Sequence, residues 1–463
     1  MILTLALRSL LSRPIRSLVL AGGFGCGVAV MAALLGIGGV ILDQARAPAL
    51  IGGGDVVIGG PAGRVQNARF ILSSVLANGP LAPRVSSASP ATHATLYLID
   101  PRGPALVHGV GSIPSLERSV GVAEARGAAN WTDSAADREW ASPGPADVLR
   151  SLDRFHAIPE VPARASSWAE WLYFNGRAAG GRFYLTFIAG PRREAGTRML
   201  GIRLQLERDG RLESFSDSIE VSDAALATAP DITAGRNSVR LDGLNYRIKF
   251  DLAAEGSKAR ATGDIVLTAT PGRSMPPFEL RGAGGWISGY VVPVISGPLS
   301  GIIRAGADTI DLTGGAGYHD HNWGFWDGVR WQWGQVQSGD LSFVYGRVYP
   351  PPDAADATRV PGFLVALGPD GPVGYATDVA IEESNDPAAN RPREIVVRAQ
   401  SESVALTMSL DVEQTTATRL RAGSFGAGMD FLQLRAVYKV SGRVGGREIA
   451  FTAHGSAETF RGR

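Results

Sequence analysis

The sequence predicts a mainly β protein: two antiparallel barrels in tandem behind a single N-terminal transmembrane helix. Three observations carry that expectation. At 463 residues the chain is too long for one ordinary core. Its 59 glycines and 28 prolines punctuate the text and favour many short strands over long helices. From about residue 165 onward, apolar and polar positions alternate with period two, the pattern of half-buried strands.

The bulk numbers exclude several classes. Apolar residues make up 45% and charged residues 19%, a globular composition. The net charge of +1, with no cluster of basic residues interleaved with aromatics, argues against nucleic acid as a partner. Lysine occurs only at Lys249, Lys258 and Lys439. Cys26 is the single cysteine, so neither an intrachain disulfide nor a thiolate metal cluster can form.

The first element is the membrane helix. Ser17 to Leu42 runs without a charge, longer than the roughly 20 residues that cross a bilayer. Arg8, Arg13 and Arg16 precede it, and Asp43 and Arg46 follow. The positive-inside bias puts the N-terminus in the cytoplasm and the body outside, as in a single-pass protein of a bacterial inner membrane with a periplasmic domain. A signal peptide is the rival reading, but its apolar region is normally only about 7–15 residues. Pro48 also follows the small-x-small text at 45–47 that would be cut. Gly23 and Gly27 form a G-x-x-x-G, and small residues recur along the helix, which suits close packing against another helix in lipid.

Residues 61–160 read as a small mixed region. The text at 93–103 suggests a strand and turn, and "GPADVLRSLDRF" at 144–155 suggests a short helix with Val148, Leu149, Leu152 and Phe155 on one face. The alternating text beyond it amounts to about eighteen short strands. Leu200, Ile202, Leu204 and Leu206 share one face there, with Arg203, Gln205 and Glu207 on the other. So many antiparallel strands close into barrels or sandwiches to remove their edges. Two barrels, at 161–300 and 301–463, fit the length, with Pro293, Gly297 and Pro298 marking the seam.

One stretch concentrates reactive side chains. "GYHDHNWGFWDGVRWQWG", Gly317–Gly334, holds His319, His321, Asp320, Asp327, Trp323, Trp326, Trp331 and Trp333. On a strand, His319 and His321 point one way, and Tyr318, Asp320 and Asn322 the other. Trp331, Trp333 and Gln335 share a face in the same manner.

Several segments carry family resemblances. "WAEWLYFNG" at 168–176, then "GYHDHNWG" and "WQWG", resemble the signatures of a lipocalin-like family that includes carotenoid 1,2-hydratase and the transporter-associated AttH proteins. Leu172 departs from the family's second tryptophan. The resemblance covers about residues 160–460 and implies two lipocalin-like β-barrels. The opening "LALRSLLSRPIRS" and the text at 52–60 resemble the start of FtsX/MacB-type ABC permeases, including their first periplasmic strand.

Several readings of the motif follow. A carrier of an apolar lipid or isoprenoid, working with ABC transporter permease and ATPase subunits, would use Trp323, Trp326, Trp331, Trp333, Tyr345, Glu170 and Trp171 to line its cavity. A hydratase, which the resemblance also implies, would protonate an isoprenoid C=C and add water. Asp320 is then the candidate acid and Asp327 the second, with His319 or His321 positioning water. Aromatic faces, Tyr318 among them, would stabilise the cation. Glu170, if it shared that cavity, would push one carboxyl pKa upward. Zinc held by the H-x-H pair is a third reading, although the expected cofactor set is empty. A buried hydrogen-bond network with an aromatic plug between barrels would produce the same text.

Overall fold

The computed structural model describes residues 12, 14–16, 19, 22–28, 30–32, 56–59, 65, 68–76, 82–100, 103–208, 211–254, 257–386, 391–419 and 429–462. The chain divides into two units, 1–63 with 85–138, and 64–84 with 139–463.

In the first unit, β1 (Ala91–Asp100) and β2 (Gly103–Ser112) form an antiparallel hairpin, as the strand-and-turn text at 93–103 predicts. A helix at Pro114–Val120 follows, ended by Gly121 in the left-handed region at φ 87°. Within the expected membrane span, residues 22–28 and 30–32 are helical, while 33–42 lie outside the described residues. Among the described residues no helix is long and apolar enough to cross a membrane. Residues 56–59, where a first strand was expected, belong to no strand.

The second unit carries both barrels. Its predicted helix is present at Pro145–Leu152, with Val148, Leu149 and Leu152 buried. The first sheet comprises β3 (Trp168–Ala178), β4 (Gly181–Arg192), β5 (Thr197–Arg208), β6 (Arg211–Ser222), β7 (Ile232–Ala234), β8 (Asn237–Asp242), β9 (Asn245–Ala254), β10 (Arg260–Thr268), β11 (Met275–Arg281), β12 (Ile287–Ala305), β13 (Asp308–Asp311) and β14 (Gly315–Phe325). Its path runs β10-β12-β14-β3-β4-β5-β6-β9, and β9 pairs back to β10, closing a barrel. The second sheet holds β15 (Arg330–Ser338), β16 (Leu341–Tyr349), β17 (Phe363–Gly368), β18 (Gly371–Ala376), β19 (Asp378–Asp386), β20 (Arg391–Gln400), β21 (Val404–Arg419), β22 (Met429–Val444) and β23 (Arg447–Gly462). It is a nine-stranded curled sheet in the order β18-β17-β16-β15-β23-β22-β21-β20-β19.

The boundary falls later than the sequence suggests. Pro293, Gly297 and Pro298 lie inside the single long strand β12, whose register shifts between Val291 and Val294 and again between Val294 and Gly297. Proline is tolerated in a strand at such irregularities, so it marks bulges here instead of a seam. The motif strand β14 pairs with β12 and β3, which makes it part of the first barrel. The chain passes to the second sheet between Phe325 and Arg330.

Three cores result. The four alternating residues of β5, Leu200 to Leu206, are at most 1% exposed and fill the first barrel with Phe174, Phe187, Ile248 and Leu252. The second sheet wraps Phe343, Leu364, Met408, Leu410 and Tyr438. A third cluster lies between the sheets and is unusually aromatic: Trp168, Tyr173, Tyr184, Tyr290, Tyr318, Trp326, Trp331, Trp333 and Phe460. Because the second sheet covers the outer face of β5, Gln205 and Glu207 are buried rather than exposed. Glu207 pairs there with Arg435 of β22.

Candidate functional site

Strand β14 separates two sites, because its alternate residues face opposite ways. Tyr318, Asp320 and Asn322 face the second sheet. His319 and His321 face the interior of the first barrel.

On the outer side lies a cavity of about 140 Å³. Trp171 and Tyr173 of β3, Tyr184, Thr186 and Ile188 of β4, and Arg203 and Gln205 of β5 line it from the first barrel, with Asp320 and Asn322. Trp326, Trp331, Phe431, Gln433, Glu458 and Phe460 complete the wall. Two carboxyl groups therefore enter one space from two different sheets.

A donor chain leads to the first of them. Trp333 Nε1–H donates to the Tyr290 hydroxyl at 2.7 Å, the Tyr290 and Tyr318 hydroxyls are 2.6 Å apart, and Tyr318 donates to Asp320 Oδ2 at 2.8 Å. Asn322 Nδ2 donates to Asp320 Oδ1 at 2.9 Å. Burial, then the nearby Glu458, push the Asp320 carboxyl well above its ordinary range, and these outweigh the hydrogen bonds that favour its charge. Burial pushes Glu458 up to about 7. Gln433 Nε2 donates to Glu458 Oε1 over a long 3.4 Å. Burial and Glu458 also raise the Tyr173 hydroxyl well above its usual value.

On the inner side, several charged or ionisable groups interlock. Asp153, just past the helix Pro145–Leu152, is fully buried and accepts from Tyr246 Oη at 2.7 Å. Its Oδ2 lies 2.8 Å from His319 Nε2, and His319 Nδ1 is 2.9 Å from the Tyr173 carbonyl. The His319 ring stacks on Phe174 at 4.0 Å. His321 sits between two carboxylates, with Nε2 2.9 Å from Glu170 Oε1 and Nδ1 3.4 Å from Asp153 Oδ1. Burial disfavours its charge, but the hydrogen bonds to Asp153 and Glu170 outweigh that and hold the imidazolium up to about 9. Burial would raise Asp153, yet His319 and His321 keep it well below the usual carboxylate range. Glu170 is lowered in the same way by His156 and His321.

Several expectations are corrected by this geometry. His319 and His321 cannot position water beside Asp320, because they occupy the other face of β14. Glu170 shares the inner network and not the cavity, since β3 alternates and Glu170 points inward while Trp171 points outward. Glu458 takes the part of the second carboxyl. Asp327 is exposed in the turn after β14 and does not line the cavity. Tyr345 is in the core of the second sheet, away from the cavity. Trp323 lies on the inner side, its ring stacked on His156 at 4.0 Å and its Nε1 donating to Glu279. Of the remaining predicted residues, Trp171, Trp326 and Trp331 line the cavity, and Trp333 supports it through Tyr290.

Asp153, His156, Tyr173, Tyr290 and Glu458 were not singled out by sequence. Only Asp153 left a trace, an acid inside the helix predicted at 144–155, between the apolar Leu152 and Phe155. Glu458 looks like any polar residue of an alternating strand.

No protein-family model matches the chain, and no curated protein does. Solved structures do. A Nitrosomonas europaea protein provisionally assigned as AttH is 16% identical, with 66% of this chain and 96% of that one covered at a TM-score of 0.42. CghA, solved with Sch210972, is 13% identical over 69% of this chain and 95% of its own, TM-score 0.43. Kievitone hydratase from Nectria haematococca is 12% identical over 65% and 92%, TM-score 0.42. At these identities no residue role passes to this chain, and the permease-like text at the N-terminus finds no support among these comparisons.

Proposed function

We propose that the cavity between the barrels is the active site of a hydratase that adds water to a C=C bond of an apolar, isoprenoid-like substrate. The observation that carries this is the cavity's composition. Asp320 and Glu458 project from facing sheets into a space walled by Trp171, Trp326, Trp331, Phe431 and Phe460. An apolar chain fits such walls, and a carboxyl pair largely shielded from water holds a proton more tightly than a free carboxyl group does.

The step is acid–base addition. One carboxyl of the pair gives its proton to the alkene, forming a C–H bond and a carbocation. Indole and phenol faces stabilise that cation by roughly 0.5–2 kcal/mol each. Water adds to the cation and releases its proton to the other carboxylate. The pair ends with one proton, as it began, so its titration belongs to the pair and not to either residue.

The test is incubation of the protein with an apolar cell extract in ¹⁸O-labelled water, followed by mass spectrometry. Wild type is expected to give products heavier by one labelled water. Asp320→Asn and Glu458→Gln should each lower that yield by about 10²–10⁴ while an apolar ligand still co-purifies. Unlabelled products from wild type, or full activity in both variants, would sink the reading. Retained ligand with no turnover would favour an apolar-ligand carrier instead.

The wider setting rests on the N-terminal text. The uncharged run 17–42 and its flanking arginines support a membrane-anchored, periplasm-facing body. Pairing with an ABC transporter permease and ATPase rests on the permease-like opening alone.

A further inference from the structure

We propose that His156, Glu170 and His321 form a binding site for a divalent transition-metal ion of the zinc class, on the opposite side of β14 from the cavity. The three residues come from distant parts of the second unit: the loop after the helix Pro145–Leu152, β3 and β14. Their ligating atoms all lie within 4.8 Å of one another. His156 Nδ1 and His321 Nε2 approach the same atom, Glu170 Oε1, at 2.8 and 2.9 Å. Two imidazoles and one carboxylate are a donor set that zinc uses when one coordination position is left open. Magnesium and calcium, which prefer oxygen donors, suit it poorly.

The surroundings support an ion more than a simple hydrogen-bonded cluster. Behind His321, Nδ1 faces Asp153 Oδ1 at 3.4 Å, and neither atom has any other hydrogen-bond partner. A carboxylate behind a ligating imidazole is the arrangement that orients it and raises its basicity. The site is also held ready. The His156 backbone N–H donates to both Glu170 oxygens at 2.9 and 3.1 Å, and the His156 ring is clamped on Trp323. The His156 side chain is 36% exposed while Glu170 and His321 are fully buried, so the way in from solvent passes His156. His319 cannot join, since both its nitrogens are engaged by Asp153 and the Tyr173 carbonyl.

The experiment uses the full chain, stripped with a chelator and equilibrated against zinc chloride by dialysis with metal analysis. Cobalt(II) is added in a parallel sample for its absorption spectrum. Wild type should take up about one zinc per chain and give cobalt bands of a four- or five-coordinate N/O site. His156→Ala, at a half-exposed loop position, should leave the circular dichroism spectrum unchanged and weaken zinc at least tenfold. Asp153→Asn should weaken it by about 10–100-fold. No saturable zinc uptake by wild type overturns the proposal. So does uptake that is unchanged in His156→Ala, or magnesium binding as tight as zinc. None of these readouts depends on hydration, so this site and the cavity's role stand or fall separately.

Discussion

Asp320 and His321 are neighbours in sequence and belong to different chemistry. Asp320 meets a cavity, while His321 meets the barrel interior between Asp153 and Glu170. A strand's period of two does this wherever both faces are covered. The inner network makes its own prediction. Asp153 is the shared partner of Tyr246 and His319 and faces His321, with no exposure to solvent. Asp153→Ala leaves the imidazoles it faces without that carboxylate and the tyrosine hydroxyl without an acceptor. Breaking a buried charged network from one side costs about 3–5 kcal/mol, and urea unfolding should show that loss. A loss below about 1 kcal/mol, the scale of an exposed pair, would mean that water compensates and that the network is not closed.

Among the elements, β12 and β14 form the pair that sets the site's geometry. Gly289 of β12 stands opposite Trp323 of β14. A Cβ at Gly289 would lie 2.0 Å from Trp323 Cε2, so only glycine lets the indole lie flat over the neighbouring strand. That placement puts the indole where His156 stacks on it. Gly289→Ala should displace Trp323 at a cost of about 1–3 kcal/mol, as overpacking does. The loss should appear in thermal unfolding together with a change in near-ultraviolet circular dichroism. An unchanged near-ultraviolet spectrum would show that the indole does not need the glycine. The motif was readable as a strand, and its two-faced alternation was readable too. Its place in the first barrel was not, because its partners in β3 lie far back along the chain and pairing is a tertiary choice. The prolines of β12 misled for a related reason: a bulge and a domain seam are punctuated by the same residues.

At the scale of the whole molecule, the two sheets together make what neither has alone. Asp320 comes from the first and Glu458 from the second; Asp320 is buried and Glu458 half-buried beside the aromatic cluster. This yields a pH prediction with a definite sign. Glu458 is raised from its ordinary 4.5 to about 7 in the folded protein. The folded state therefore holds a proton that the unfolded chain has already lost across that window, so this group's contribution to stability is fully present below about 4.5. It declines as pH rises toward about 7 and changes no further above that. Glu458→Gln should flatten that limb in unfolding measured at a series of pH values. A limb of the same slope in the variant would assign it to other groups. Period-two alternation, glycine and proline content and length were enough to determine the class: many strands, two barrels, and one aromatic, histidine-rich strand worth attention. These are local signals, set by which face of each strand must avoid water. Which strand closes which barrel, which carboxyls meet, and whether a histidine faces a ligand or an acid were decided only by the tertiary structure. Such contacts join residues more than a hundred positions apart, and a Glu458 half-buried in a cavity and an exposed one are written with the same letter.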